Sequence, residues 1–281
     1  MKSYLPLAAM LLATTLCSGQ DGKPAGNTTR PDPLASGTLR TNTVDGSILV
    51  WVPAGEFKMG STDGNEDEIP VTKPKVKGFW LGKFEVTNEQ FAKFLAETGC
   101  DPSSWRDDRN TQPNQPVMGI RWSAARAYCK WAGLRLPTEA EWEHSARGGK
   151  HFQYPTATGR IDPSLANYFD SKGVNHRDGP SPVGSFLPNP YGIHDMAGNA
   201  WEWTGSLYQA YPASSEDENT DDVEERRGFR VMRGGCWRYS ADYCSSSHRH
   251  RFQGHLTYDY AGIRVALSLK DVSPPDKQDN P

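Results

Sequence analysis

The sequence has little net charge, −3 from 31 basic and 34 acidic residues among 281. That balance excludes a global field for nucleic acid or an anionic membrane surface. Long apolar runs are lacking. One, Leu5 to Leu16, is too short to span a bilayer as a helix, and no later segment qualifies. Cysteine is sparse: beyond Cys17 there are only Cys100, Cys129, Cys236 and Cys244, whose three possible pairings spacing does not rank. There is no internal repeat, and past residue 150 helical periodicity largely disappears. Long ordered loops around a small sheet are therefore expected, and such loops need internal anchors, of which bound ions are one kind.

What the chain does have is 27 glycines, 21 prolines and 9 tryptophans, with 36% hydrophobic residues. The mix implies many turns and short elements, with tryptophan carrying much of the burial. Lys2 followed by Leu5–Leu16 reads as an export signal over residues 1–19, cleaved after Gly19. Cys17 offers a lipoprotein alternative, but Leu16 stands where a small residue is expected. Either way the expected location is periplasmic or secreted. Residues 20–44 have the composition of a flexible linker. Residues 45–270 are expected to fold as one domain, 271–281 to form a disordered tail, and the acidic stretch 214–225 to be a solvated insertion.

Local signals place elements in the folded part. Ile48–Val52 and Phe79–Glu85 read as strands. Thr87 with Gln90, and Thr138 with Glu141, are capping boxes that open helices closed by Gly99 and by Gly148–Gly149. A further helix runs from Ser123 to about Trp131 and stops at Gly133. In Asp195–Glu202 two carboxylates flank a turn at Gly198 that can offer carbonyls. Hard oxygen ligands on a loop suit Ca²⁺ better than a transition metal.

Seven strings in order carry a resemblance. They are Trp51–Gly60, Glu85–Asn88, Ala127–Gly133, Arg135–Glu143, Gly192–Trp203, Arg233–Gly235 and Gly262–Arg264. Together they resemble the formylglycine-generating-enzyme (sulfatase-modifying-factor) family over about residues 48 to 267. The resemblance implies an α+β fold, a C-type-lectin-like variant with little regular structure. It implies a structural calcium held by the Asp195 side chain, the Gly198 and Ala200 carbonyls and the Glu202 carboxylate. A second calcium is implied at Asn167, Tyr168, Asp178 and Pro180. Trp201 falls where the enzymes set an aromatic wall beside their reactive thiols.

Enzymes of this family oxidise a substrate cysteine with O₂ at a Cu(I) held by two thiolates, which are suitably soft ligands. The pair lies four and nine residues after Arg-Gly-Gly. Here those positions hold Tyr239 and Cys244, while Cys236 occupies the first. Tyrosine cannot replace a thiolate toward Cu(I), so bound copper is not expected. Three readings stay open for Cys236 and Cys244: a displaced thiol pair, an isolated Cys244 of lowered pKa, or two inert buried residues. Cys129 matches a family half-cystine whose partner position is Val265.

Candidate catalytic residues are Cys244, Cys236 and Tyr239. Candidate substrate-binding residues are Trp201, Arg238, Tyr243, His248 and His250, in a stretch rich in Tyr, Arg and His as recognition surfaces are. The expected function is that of an exported maturation factor or oxidase for a small molecule or peptide, as in siderophore (pyoverdine) chromophore maturation within this family. One alternative is a non-catalytic protein presenting residues 237–260 to a ligand, as the family's retroelement-diversified variable proteins do. Another is a true formylglycine-generating oxidase. No nucleic-acid partner is expected, and the chain is expected to be a monomer.

Overall fold

A computed structural model describes residues 34–100, 110, 112–169, 179–212 and 228–269, all within one compact unit, Asp32–Pro281. The acidic stretch 214–225, the C-terminal tail, Cys17 and Asp178 lie outside the described residues.

Two four-stranded sheets frame three helices. The first has the order β1 (Leu39–Thr41), β2 (Ile48–Val52), β5 (Phe79–Gly82), β10 (Ala266–Ser268), antiparallel throughout. Its β2 carries Leu49, Val50, Trp51 and Val52, all fully buried. An unbroken apolar run of this kind marks a strand covered on both faces. A hairpin of β3 (Gly55–Glu56) and β4 (Lys75–Val76) follows β2. The second sheet has the order β8 (His250–Gln253), β7 (Phe229–Arg233), β6 (Trp201–Leu207), β9 (Ala261–Ile263). Its β6 and β9 are parallel and its other pairs antiparallel.

The helices begin and end where their caps dictate. In α1 (Asn88–Thr98) the Thr87 side chain accepts from Gln90 N, and Gly99 closes the helix in the left-handed conformation. In α3 (Glu139–Arg147) Thr138 and Glu141 form the same box, and Gly148 terminates. Between them α2 (Trp122–Trp131) packs Trp122, Ala125 and Tyr128 inward. Trp122 Nε1 donates to Thr204 O at 2.8 Å and Trp203 Nε1 to Ile120 O at 3.0 Å, so these two indoles are buried with their polar edges satisfied, whereas Trp51 and Trp201 are buried with Nε1 unpartnered.

Two expectations shift. The fold begins before Asp45, because β1 pairs with β2 although its residues are exposed or half-buried and give no apolar signal. The strand expected over Phe79–Glu85 ends at Gly82. Beyond it, Glu85 turns into a buried polar cluster rather than continuing a ladder.

Candidate functional site: an aromatic box beside a buried carboxylate cluster

Trp201 opens β6 and is fully buried; its backbone N–H donates to Tyr260 O at 2.9 Å. From β7 the chain turns through Gly234 and Gly235 at φ +98° and +75°. A Cβ on Gly235 would lie 2.7 Å from Cys244 Sγ, so only glycine allows this close return. The turn leads to Cys236–Tyr239, then to a 3-10 helix, Ala241–Cys244, and on to β8.

This path wraps four rings around Trp201. Centroids of Tyr239, Tyr243, His248 and His250 lie 5.8, 6.4, 5.9 and 5.1 Å from its indole. Tyr239 and Tyr243 meet edge-on at 4.9 Å, and Tyr239 Oη lies 3.3 Å from Tyr260 Oη. Burial lowers the His248 pKa to about 4, helped by His250 and Arg233, and burial also lowers that of His250. Both imidazoles are therefore neutral at neutral pH. The result is an uncharged aromatic cluster in which Trp201 is fully covered while Tyr239, Tyr243 and His250 are half-buried. Arg238 is not part of it: its guanidinium pairs with Asp259 at 2.5 Å on the surface.

The two thiols sit deeper. Cys236 and Cys244 are fully buried and neither forms a disulfide. Cys236 belongs to the main core, whereas Cys244 packs with Ala166 and Ala197. Burial pushes the Cys236 thiol up to about 12; burial, then Cys236 and Asp242, push Cys244 up as well. The reading of Cys244 as a thiol of lowered pKa is thus corrected. It has no cation beside it, and its environment favours the neutral form.

Next to the box lies a carboxylate cluster at the junction of the two sheets. Asp195 adopts φ +59° and accepts from Gly184 N through Oδ2, while its buried Oδ1 has no partner. Glu202 is held by Arg264 Nε and Nη2 and by Trp142 Nε1. Glu85 receives both of its bonds from Asn199 Nδ2, at 3.0 and 3.1 Å. Burial raises Glu85 well above the usual carboxylate range, with Asp195 adding to it, and burial lifts Asp195 to about 6. Three carboxylates thus share the single guanidinium of Arg264.

The orphaned carboxylate oxygen of Asp195, beside Glu202 and the Gly198 turn, fits a divalent cation at Asp195, Gly198, Ala200 and Glu202. Among the described residues no three His, Cys, Asp or Glu side chains form a metal-holding group, so such an ion would rely on backbone carbonyls. The turn itself demands glycine: Gly198 has φ +79°, and a Cβ there would lie 2.0 Å from Asn167 O.

Of the second implied calcium set, Asp178 lies outside the described residues, Pro180 O accepts from Gln115 Nε2 and Asn167 Nδ2 donates to Gly179 O. Glu85 and Asn199 were not singled out from the sequence. Both stand inside strings that were, but their partnership spans 114 residues.

A model of the sulfatase-modifying factor enzyme 1-like domain matches residues 35–269. The chain belongs to this family. A serine/threonine-protein kinase, pkn1 of Chlamydia pneumoniae, is 35% identical over 242 residues, 79% of this chain. The chain spans only 38% of that relative's length. The inactive C-alpha-formylglycine-generating enzyme 2 of Bos taurus is 35% identical over 256 residues, covering 72% of this chain and 80% of the relative. Among solved structures, PvdO from Pseudomonas aeruginosa superposes with a TM-score of 0.73 at 27% identity, covering 84% of this chain and all of the other. The expected α+β family fold is thus what the chain adopts. No helix among the described residues is long and apolar enough to cross a membrane.

Proposed function

We propose that this family member is an exported, calcium-stabilised maturation oxidase. It acts on a small phenolic molecule of the siderophore-chromophore (pyoverdine) type and does not use a two-thiolate copper centre. The observation that carries this reading is the convergence of Tyr239, Tyr243, His248 and His250 on Trp201, with both thiols buried and protonated beneath. The half-buried rims of Tyr239, Tyr243 and His250 would stack against a flat ring, and a tyrosine where the family sets a thiolate removes the sulfur pair. The likeness to PvdO over its whole length supports the same branch of the family. Export rests on Lys2 and the Leu5–Leu16 run, and calcium on the orphaned Asp195 oxygen.

The test is oxygen uptake and absorbance change with a pyoverdine precursor. His250→Ala and Tyr243→Phe should each slow turnover by about tenfold or more, about 1.4 kcal/mol of barrier, with thermal melting preserved. Cys244→Ser should retain activity. Formylglycine formation on a sulfatase peptide with added copper, or turnover indifferent to the two box variants, would overturn the reading.

A further inference from the structure

The hairpin of β3 and β4 leaves one strand edge open. Thr72 exchanges both main-chain bonds with Met59 at 2.9 Å, Pro74 O accepts from Phe57 N at 3.4 Å, and Val76 stands opposite Gly55. In an antiparallel pair the main-chain groups of successive residues point to opposite sides. Those of Thr72, Pro74 and Val76 are turned to β3. Those of Lys73, Lys75 and Lys77 are therefore turned to the other side, where β4 has no neighbouring strand among the described residues.

The side chains follow the same period. Val76 is buried with Phe57 and Met59, whereas Lys73, Lys75 and Lys77 are exposed on the opposite face. Successive lysines are about 6.5 Å apart along the strand. Glu56 stands opposite Lys75 without forming an ion pair with it, and the same register sets Lys58 opposite Lys73. The three lysines also line a concavity of about 630 Å³, together with Glu139, Glu141 and Ser206. The two acids of that lining are already neutralised. Arg249 Nε and Nη2 donate to Glu139 at 2.6 and 2.8 Å, and Arg135 Nη1 and Nη2 to Glu141 at 2.6 and 2.7 Å. Lys73, Lys75 and Lys77 have no ion pair among the described residues, so the strand and its cleft are basic.

We infer that β4 accepts an extended acidic peptide of a partner chain as an added strand, with a carboxylate at every second residue set against Lys73, Lys75 and Lys77. Main-chain bonds to an open edge supply affinity in such additions, and alternate side chains supply specificity. Directly opposite residues of opposite charge reinforce the pairing. Lysines along an edge guard it against neutral strands and against other copies of the same chain. The same charges attract an acidic strand, so the guard selects a partner. This site shares no residue with the Trp201 box, so it stands or falls separately from turnover there.

The test is fluorescence anisotropy of the full chain with three labelled peptides. They are Thr-Glu-Val-Glu-Val-Glu-Thr, its fully N-methylated form, and an isomer with the glutamates contiguous. The alternating peptide should bind at about 100 µM or tighter in low salt and weaken as salt is added. Lys75→Glu should cost about tenfold in affinity, and Lys73→Gln with Lys77→Gln about threefold to tenfold. All three positions are exposed, so thermal melting should not change. N-methylation removes the amide protons but not the charge and should abolish binding. The contiguous isomer should bind about tenfold more weakly. Absent binding, equal binding of the N-methylated or contiguous peptide, or affinity unchanged in Lys75→Glu would overturn the proposal. So would binding that appears only when residues 216–225 are deleted, since the edge would then belong to the chain's own acidic stretch rather than to a partner.

Discussion

His248 packs against Trp201, and its titration should be visible. Its pKa falls from an ordinary 6.5 to about 4 in the fold, chiefly through burial, with His250 and Arg233 adding to the effect. The unfolded chain therefore binds more protons than the native one between those values, and native stability is lost as pH drops through that window. His144, His194 and His250 shift in the same direction. Asp195 and Glu85, whose pKa values rise, act with the opposite sign. The clean measurement is the difference between the wild type and His248→Phe. Between pH 6.5 and 4 the wild type should lose about 2 kcal/mol more stability than the variant, read by denaturant melts at several pH values. An identical pH profile for the two proteins would show that His248 does not titrate this way.

At the scale of elements, the helices are secured by their ends. Thr138 accepts from Glu141 N at 3.1 Å while Glu141 Oε2 receives Thr138 N at 2.9 Å and pairs with Arg135. Thr138→Ala should cost about 1 kcal/mol of stability by chemical denaturation, as a lost N-cap does. These ends were legible because a capping box lies within four residues and needs no tertiary knowledge. The same holds for β2, whose run of five apolar residues buries all but the first. By contrast β1 was not legible: Leu39, Arg40 and Thr41 have neither alternation nor burial, and only pairing with β2 makes them a strand. The box residues Trp201, Tyr243, His248 and His250 could be named as candidates by type and clustering. Their mutual geometry, and the exit of Arg238 to Asp259, depended on the Gly234–Gly235 turn.

For the whole molecule, the carboxylate cluster is where the two sheets are joined. Arg264 follows β9 and precedes β10; it donates to Gly82 O at the end of β5, to His194 O, and to Glu202 in β6. Asn199 extends the junction, since it binds Glu85, accepts from Ser181 N and donates its own N–H to Asn167 O. Its carbonyl then accepts from Trp237 N in the loop that carries Tyr239. With three buried acids against one guanidinium, burial and mutual repulsion favour the protonated forms of Glu85 and Asp195 in the metal-free chain, and a bound Ca²⁺ would take the place of those protons. A ligand at 100 times its dissociation constant stabilises the native state by about 2.7 kcal/mol. Saturating Ca²⁺ should therefore raise the melting temperature by roughly 5–10 °C over a chelator-treated sample. Asp195→Ala should abolish that rise. Glu85→Gln should shrink it from the other side, by removing a buried acid that must otherwise be neutralised by a proton or by the cation, and so stabilising the metal-free form. A chelator that leaves the wild-type melting temperature unchanged would mean that Arg264 and protonation of the acids suffice to close the junction. The distinctive signature of cation binding is that Asp195→Ala and Glu85→Gln shift the metal-free melting temperature differently, yet both narrow its gap to the calcium-loaded one.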